Sequence, residues 1–326
     1  MSAAVESRAA SSLRSSLTLN LLRLRTFIAL FAVVAYFSFA APNFLTAANI
    51  VLVSKHVAQN AFLAIGMTFV IVTGGIDVSV GAMVGLCAIV LGYSWKNLGF
   101  PLPLAIVFSL GVGAAAGLAN GLLITRVRVP PIITTIATLT LFRGLAEGIS
   151  QAHSVRGYPE WFYFLGQGAV FGVPTQLLIL LVAIVVFGVA LDRTSFGRTL
   201  YAIGSNETAA RFSALPVDRI KLAAYALSGL MSGLSAFVLV SRVTTTRSDM
   251  GMGYELDAIA AVVLGGTSIF GGSGTIWGTV IGLVMIQLLK NGLALTGVKG
   301  DATIVVIGVV LIASVLIASS LQRRRE

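Results

Sequence analysis

TGGIDVSVGAMVGL, residues 73–86, joins two strongly apolar runs and carries one carboxylate, Asp77, two residues after a glycine pair. A carboxylate in the core of a bilayer costs several kcal/mol unless it is partnered or hydrated. Adjacent glycines end a helix, because positive φ is open to them, and leave its last carbonyls free. A helix that restarts beyond them exposes amide groups that need an acceptor. Asp77 or Ser79 can supply one, and the positive end of the new helix favours the carboxylate. The stretch therefore reads as a broken helix with Gly74, Gly75, Asp77 and Ser79 at the break. That places Asp77 near the inner interface or a wet cavity rather than bare in lipid. Two roles stay open for it, capping alone or capping with a part in gating.

The pattern GG-x5-G-x3-GL recurs without gaps in FGGSGTIWGTVIGL, residues 270–283, where Gly271 and Gly272 mark a second break. Gly81 and Gly85, like Gly278 and Gly282, are four residues apart and permit close contact with another helix. The second copy has Gly274 and Thr275 in place of an acid, so the two are not equivalent. A shorter match pairs NGLLITRV (120–127) with NGLALTGV (291–298). It reflects either chance or an inverted repeat of the kind found in transporters.

Composition agrees with a membrane setting. The 326 residues are 57% hydrophobic and 10% charged, against about 25% charged in soluble domains. No soluble core absorbs that much apolar surface, so the fold class is an all-α polytopic membrane protein. A span needs about 20 residues, and ten segments approach this: 26–41, 52–72, 78–95, 102–124, 132–150, 175–191, 220–240, 255–270, 274–292 and 302–319. With ten spans and an inner N-terminus, and with the end turns of each span counted with the adjoining segment, 14 of the 22 basic residues fall inside, seven outside and one, Arg143, in a span. The excess of Lys and Arg puts both termini in the cytoplasm. It also explains the net charge of +10 without invoking nucleic acid. Residues 1–25 read as a flexible cytoplasmic tail, 26–320 as the transmembrane domain and 321–326 as a basic tail.

Two connections are long. Residues 151–174, outside, are rich in Tyr, Trp and Phe and suit an aromatic collar at the membrane surface or a ligand contact. Residues 192–219, inside, are polar. Ser205 or Asn206 can cap a helix there, with Glu207 in its first turn, and Pro216 stops it after two to three turns.

Catalytic and metal-binding patterns are missing. Cys87 is alone, and His56 and His153 have no ligand cluster beside them. GGTSIFGGSGT (265–275) lacks the lysine of a phosphate loop. Arg143 and Glu147, at i and i+4, can neutralise each other on one helix face. The chain is thus not expected to be an enzyme or to bind a cofactor or metal, and energy for transport must come from a partner or an ion gradient.

TGGIDVSVGAMVGL, the segment FGRTLYAIGSNETAARFSALPVDRIKLAAYALSGLMSGLSAFVLVSR (196–242) and AIAAVVLGGTSIFGGSGTIWGTVIGL (258–283) together resemble the membrane permeases of bacterial ATP-binding-cassette importers of the ribose, xylose, rhamnose and autoinducer-2 type. The likeness covers roughly residues 45–315. It implies an inner-membrane permease for a sugar or sugar-like solute, paired with a second permease copy and surrounded by membrane lipid. A periplasmic solute-binding protein would dock outside, and a separate ATPase subunit that consumes ATP would dock inside. By the same likeness the helix at 206–215 is a coupling helix, with Gly197, Arg198, Asn206, Glu207, Ala209, Ala210 and Arg211 matching the pattern that meets the ATPase. The chain departs from that pattern at Ala214, usually glycine, and at Phe212, usually a smaller aliphatic residue. A neutral polyhydroxylated solute needs hydroxyl and amide partners, and Thr73, Asp77, Ser79, Asn120, Thr134, Thr135 and Asn291 are the candidates. Each can equally satisfy a local backbone group. A secondary transporter would place an acid deep within a span and would have no use for a docking helix.

Overall fold

The computed structural model describes residues 26–323; the two expected tails lie wholly or partly outside that range. The chain runs through α1 (Thr26–Ala40), α2 (Ala47–Val72), α3 (Val80–Lys96), α4 (Leu102–Thr125) and α5 (Pro131–Ser150). After these come α6 (Glu160–Gln167), α7 (Thr175–Arg193), α8 (Ser195–Ser205) and α9 (Glu207–Phe212). The last four are α10 (Val217–Val243), α11 (Tyr254–Leu264), α12 (Ile276–Leu295) and α13 (Gly300–Arg323). Two-residue strands β1 (Val155–Arg156) and β4 (Thr245–Thr246) pair antiparallel, as do β2 (Ala169–Val170) and β3 (Val173–Pro174).

Local chemistry sets the starts. Prolines 101, 130, 174 and 216 stand immediately before α4, α5, α7 and α10, where a missing N–H costs nothing. Thr46, Thr194 and Thr275 cap α2, α8 and α12 through their hydroxyls.

Among the described residues, six helices are long and apolar enough to cross a membrane: α2, α4, α5, α7, α10 and α12. Two-thirds of the most apolar window of α2 and of α10 is buried, against 28–39% for the other four. Hence α2 and α10 form the axis of the bundle, and α4, α5, α7 and α12 turn apolar faces such as Val107, Ile136, Val185 and Trp277 outward. The span expected at 255–270 is only the 11 residues of α11, because the backbone turns at Gly266 (φ 92°) into a non-helical loop. α1 packs on α12, with the Phe37 ring filling the space left by Gly292.

The connection 151–174 is more than a collar. Tyr158 stacks on Trp95 at 4.5 Å and on Phe162 at 4.8 Å, and both Tyr158 and Phe162 are buried. Trp161, Phe164 and Phe171 face outward. The Ser241 hydroxyl donates to the Phe162 carbonyl, and Gln167 Nε2 donates to Arg242 O at 2.8 Å. The segment is thus fastened over the ends of α3 and α10.

Gly81 and Gly85 do not admit a helix. Their bare faces receive the loop before α11 and a side chain from the first turn of that helix: Glu255 Oε2 and Gly251 O lie against Gly81, and Ser248 O and Met250 O lie against Gly85. Arg143 fixes that loop by donating to Ser248 O and, at 3.0 Å, to Met250 O. It therefore does not pair with Glu147, which stays exposed. Gly278 and Gly282 take up the backbone of α11 at Gly265 and Ala261.

The two glycine-pair breaks meet. Gly272 N donates to Val72 O at 2.9 Å, and a Cβ on Gly271 would lie 2.8 Å from Gly74 N. α8 sits on this junction through Gly204, where a Cβ would run into Val72 O and Gly272 N. Gly204→Leu is expected to lower the melting temperature sharply in detergent, since overpacking costs about 1–3 kcal/mol even where side chains can adjust and here only backbone is available. Gly111→Ala, with no neighbour within 4 Å, serves as the control and is expected to leave it unchanged.

Candidate functional site

Asp77 is fully buried in the extended stretch between α2 and α3. One carboxylate oxygen accepts from Ser79 N at 3.1 Å, from the Ser79 hydroxyl at 2.6 Å and from Asn120 Nδ2 at 3.5 Å. The other accepts from the Ser228 hydroxyl at 3.2 Å. Asn120 Nδ2 also donates to the Ser79 hydroxyl at 2.8 Å. Among the described residues no salt bridge reaches Asp77, so neutral donors alone hold it. Ser79 occupies the cap position of α3, but its side chain caps no amide there. Asp77 instead closes a turn on Ser79 N, the amide of the residue before the helix.

Asp77 lies deeper than the inner interface, one of the two settings expected for it. Asn120 lies five residues before the end of α4, and Ser228 lies eleven residues after the start of α10. At 1.5 Å per residue, Asp77 sits about 8 to 16 Å inside those helix ends. The stretch after the glycine pair climbs back into the bundle, and protein takes the place of lipid around the carboxylate.

Thr135 joins this cluster by donating to Ile76 O at 3.2 Å. Thr134 is buried beside it with its hydroxyl unpaired. Thr73 only closes the end of α2, donating to Val70 O at 2.7 Å. Asn291 is elsewhere: it exchanges two 2.8 Å hydrogen bonds with Asn49 at the opposite end of the bundle. Asn120 and Asn291 thus have unlike surroundings despite the NGL match. Ser228 and Tyr225 were not singled out from the sequence. Tyr225 is fully buried, and its hydroxyl lies 2.5 Å from where a Cβ of Gly75 would be. The available signal was SGLMSGLS (228–235), which puts Ser228, Ser232 and Ser235 on one helix face.

The second region is the segment from α8 to α10. Asn206 caps α9, its Oδ1 accepting from Ala209 N at 2.9 Å. Glu207 receives Arg211 at 2.9 Å and Lys221 at 2.7 Å, and Arg211 also reaches Asp218 at 2.6 Å. Partial burial pushes the Glu207 carboxyl up, but the hydrogen bonds and charges of Lys221 and Arg211 outweigh it and hold the group below its ordinary value. Its stabilising contribution is therefore complete above the unfolded value and is lost as pH falls through the depressed folded one.

α9 is six residues long, shorter than the expected two to three turns. It ends at Ala214 with φ 57°, a left-handed residue, rather than at Pro216. This is the conformation glycine takes without strain, at the position where the resembled family carries glycine. Ala210 is also not on an open face; it is buried against Ile203 and Val217. Ala209, Arg211 and above all Phe212 (88% exposed) point outward. Gly197 is buried where a Cβ would strike Leu191 O, while Arg198 is exposed. Tyr201 ties α8 to the second break by donating to Gly274 O at 2.8 Å. Burial and the Asp192 carboxylate push its hydroxyl up to about 12, so it remains a donor. A cleft of about 420 Å³ opens beside α9, with Arg128, Glu207, Arg211 and Lys221 in its wall.

Residues 47–315 match the family described as branched-chain amino acid transport system / permease component. The chain is 44% identical over 298 residues to the ribose import permease protein RbsC of Bacillus subtilis (strain 168), covering 90% of this chain and 92% of the relative. It is 37% identical over 306 residues to RbsC of Escherichia coli (strain K12), covering 93% and 95%. It is 40% identical over 270 residues to the autoinducer 2 import system permease protein LsrD of Escherichia coli (strain K12), covering 81% of each. No solved structure matches the chain.

The acceptor role of Asp77 can be tested by stability alone. Asp77→Ala strands buried donors on three residues, at about 1–3 kcal/mol for each group left unpaired. It is expected to lower the melting temperature in detergent clearly more than Asp77→Asn, which keeps one carbonyl acceptor.

Proposed function

The chain belongs to the family of branched-chain amino acid transport system permease components, and on that premise we propose that it is the permease subunit of an ATP-binding-cassette importer for a sugar of the ribose class. It is a multi-pass protein of the bacterial inner membrane. The family description names amino acids, whereas the relatives named above import ribose or autoinducer 2. The sugar assignment follows those relatives.

One observation carries the coupling reading. α9 is a short, internally ion-paired helix that exposes Phe212 and is joined through α8 to both helix breaks. An exposed aromatic on a polar loop is a natural contact for a partner protein. A separate ATPase consumes ATP and grips α9; this chain binds no nucleotide. Motion of α8 reaches Val72 and Gly272 directly, because Gly204 leaves no side chain between them. The breaks next to Asp77, Ser79 and Asn120 are then where the path opens and closes.

The remaining topology supports this arrangement. With both termini in the cytoplasm, 192–219 lies inside, together with most basic residues. A periplasmic solute-binding protein docks on the opposite face. A second permease copy, identical or closely related, completes the path, and lipid covers the outward faces of α4, α5 and α7.

Phe212→Asp and Glu207→Lys are expected to cut uptake of labelled ribose in cells by at least about tenfold, the equivalent of about 1.4 kcal/mol, with normal amounts of permease in the membrane. Unimpaired uptake in both variants would contradict coupling through α9. Import of leucine but not ribose by the wild type would contradict the sugar class. Ala214→Gly is expected to retain uptake and to stabilise the loop by about 1 kcal/mol through relief of the left-handed strain.

A further inference from the structure

At the end of the bundle opposite α8 and α9, a cleft of about 310 Å³ opens between α2, α11 and α12. Three side chains at equal spacing line each long wall or buttress it. On α2 these are His56, Gln59 and Asn60; on α12 they are Gln287, Lys290 and Asn291. Tyr254 and Asp257 of α11 complete the wall.

Most of these groups are fixed by the protein. Arg242 lies across His56, with nitrogen contacts of 2.8 and 3.2 Å, and donates to Gln59 Oε1 at 3.1 Å. Gln59 Nε2 donates to the Tyr254 hydroxyl at 2.8 Å. Lys290 and Asp257 pair at 2.5 Å. Two amides are left over. Asn60 is 5% exposed and Gln287 6% exposed, both line the cleft, and Asn60 Oδ1 and Gln287 Nε2 have no partner.

A buried amide group without a partner is costly. Here one acceptor and one donor remain, and a hydroxyl can serve both because it donates one hydrogen bond and accepts others. The two charged lining residues, Asp257 and Lys290, pair with each other, and Arg242 spends donors on His56 and Gln59. A branched aliphatic solute would leave the two amides unpaired, which a polar site penalises heavily. The volume is at the small end of ligand pockets and suits a single sugar ring. We propose that this cleft is a contact site for a neutral polyhydroxylated solute on its way through the permease, with Asn60 accepting from and Gln287 donating to its hydroxyls. The assignment rests on the sugar-import reading above and gives it a location within this subunit.

Ala294, exposed and lining the cleft, provides a reporter, since Cys87 is the only cysteine and is buried. Ala294→Cys is placed in vesicles with the complete transporter and exposed to a membrane-impermeant thiol reagent. Ribose-loaded binding protein is expected to slow labelling several-fold relative to ribose-free binding protein, and leucine is expected to have no effect. Adding Gln287→Leu is expected to remove the protection and to reduce ribose uptake about tenfold, as loss of about 1.4 kcal/mol requires, with ATP hydrolysis retained as the check on folding. Ribose uptake by the wild type with unchanged labelling would overturn the site alone. Protection that persists in the Gln287→Leu background would also overturn it, since the binding protein itself would then be the shield. A wild type that imports no ribose would overturn both the site and the sugar reading.

Discussion

A helix that stops inside a bilayer leaves peptide groups with no water to bond, and everything distinctive about this chain follows from how two such stops are satisfied. The Val72 carbonyl at the first stop takes its hydrogen from Gly272 N at the second. That bond requires two strands of bare backbone to approach each other, and the glycine pairs make this possible. Gly204 extends the same condition to α8, which rests directly on the two stops. The repeated GG-x5-G-x3-GL pattern is therefore a pair of mating surfaces as well as two similar turns.

The buried carboxylate is the second consequence. Having turned at Gly74 and Gly75, the chain climbs back among α4, α5 and α10, and α3 starts at depth. The amide and hydroxyl of Ser79, just before the helix, need an acceptor in this buried setting, and Asp77 is that acceptor. Four hydrogen bonds from neutral groups on three elements surround it. The same bonds tie the start of α3 to α4 and α10, so the break is anchored on one side and seated against α8 on the other.

Much of this was legible in the residues. The break, its echo at 270–283, the cap at Asn206 and the membrane class all follow from glycine pairs, a cap residue and composition. Partners across space were not legible. Gly81 and Gly85 signal a close approach, but nothing in their spacing says that a loop rather than a helix comes near. Ala210 reads as part of a docking face until Ile203 and Val217 are seen to enclose it. Arg143 and Glu147 have ion-pair spacing, yet the carbonyls of Ser248 and Met250 compete successfully for the guanidinium. HVAQN (56–60) and QLLKN (287–291) carry the same polar spacing. Their meaning depends on α11 bringing Tyr254 and Asp257 between them.

In the proposed mechanism, transport depends on an energy-supplying subunit acting through α9 on the joined breaks. The most direct measurement is ribose accumulation in vesicles built from purified components. With permease, cognate ATPase and solute-binding protein present, ribose should accumulate only when ATP is supplied on the ATPase side, and omitting the ATPase should abolish it. Accumulation by the permease alone, driven by an ion gradient, would contradict the account.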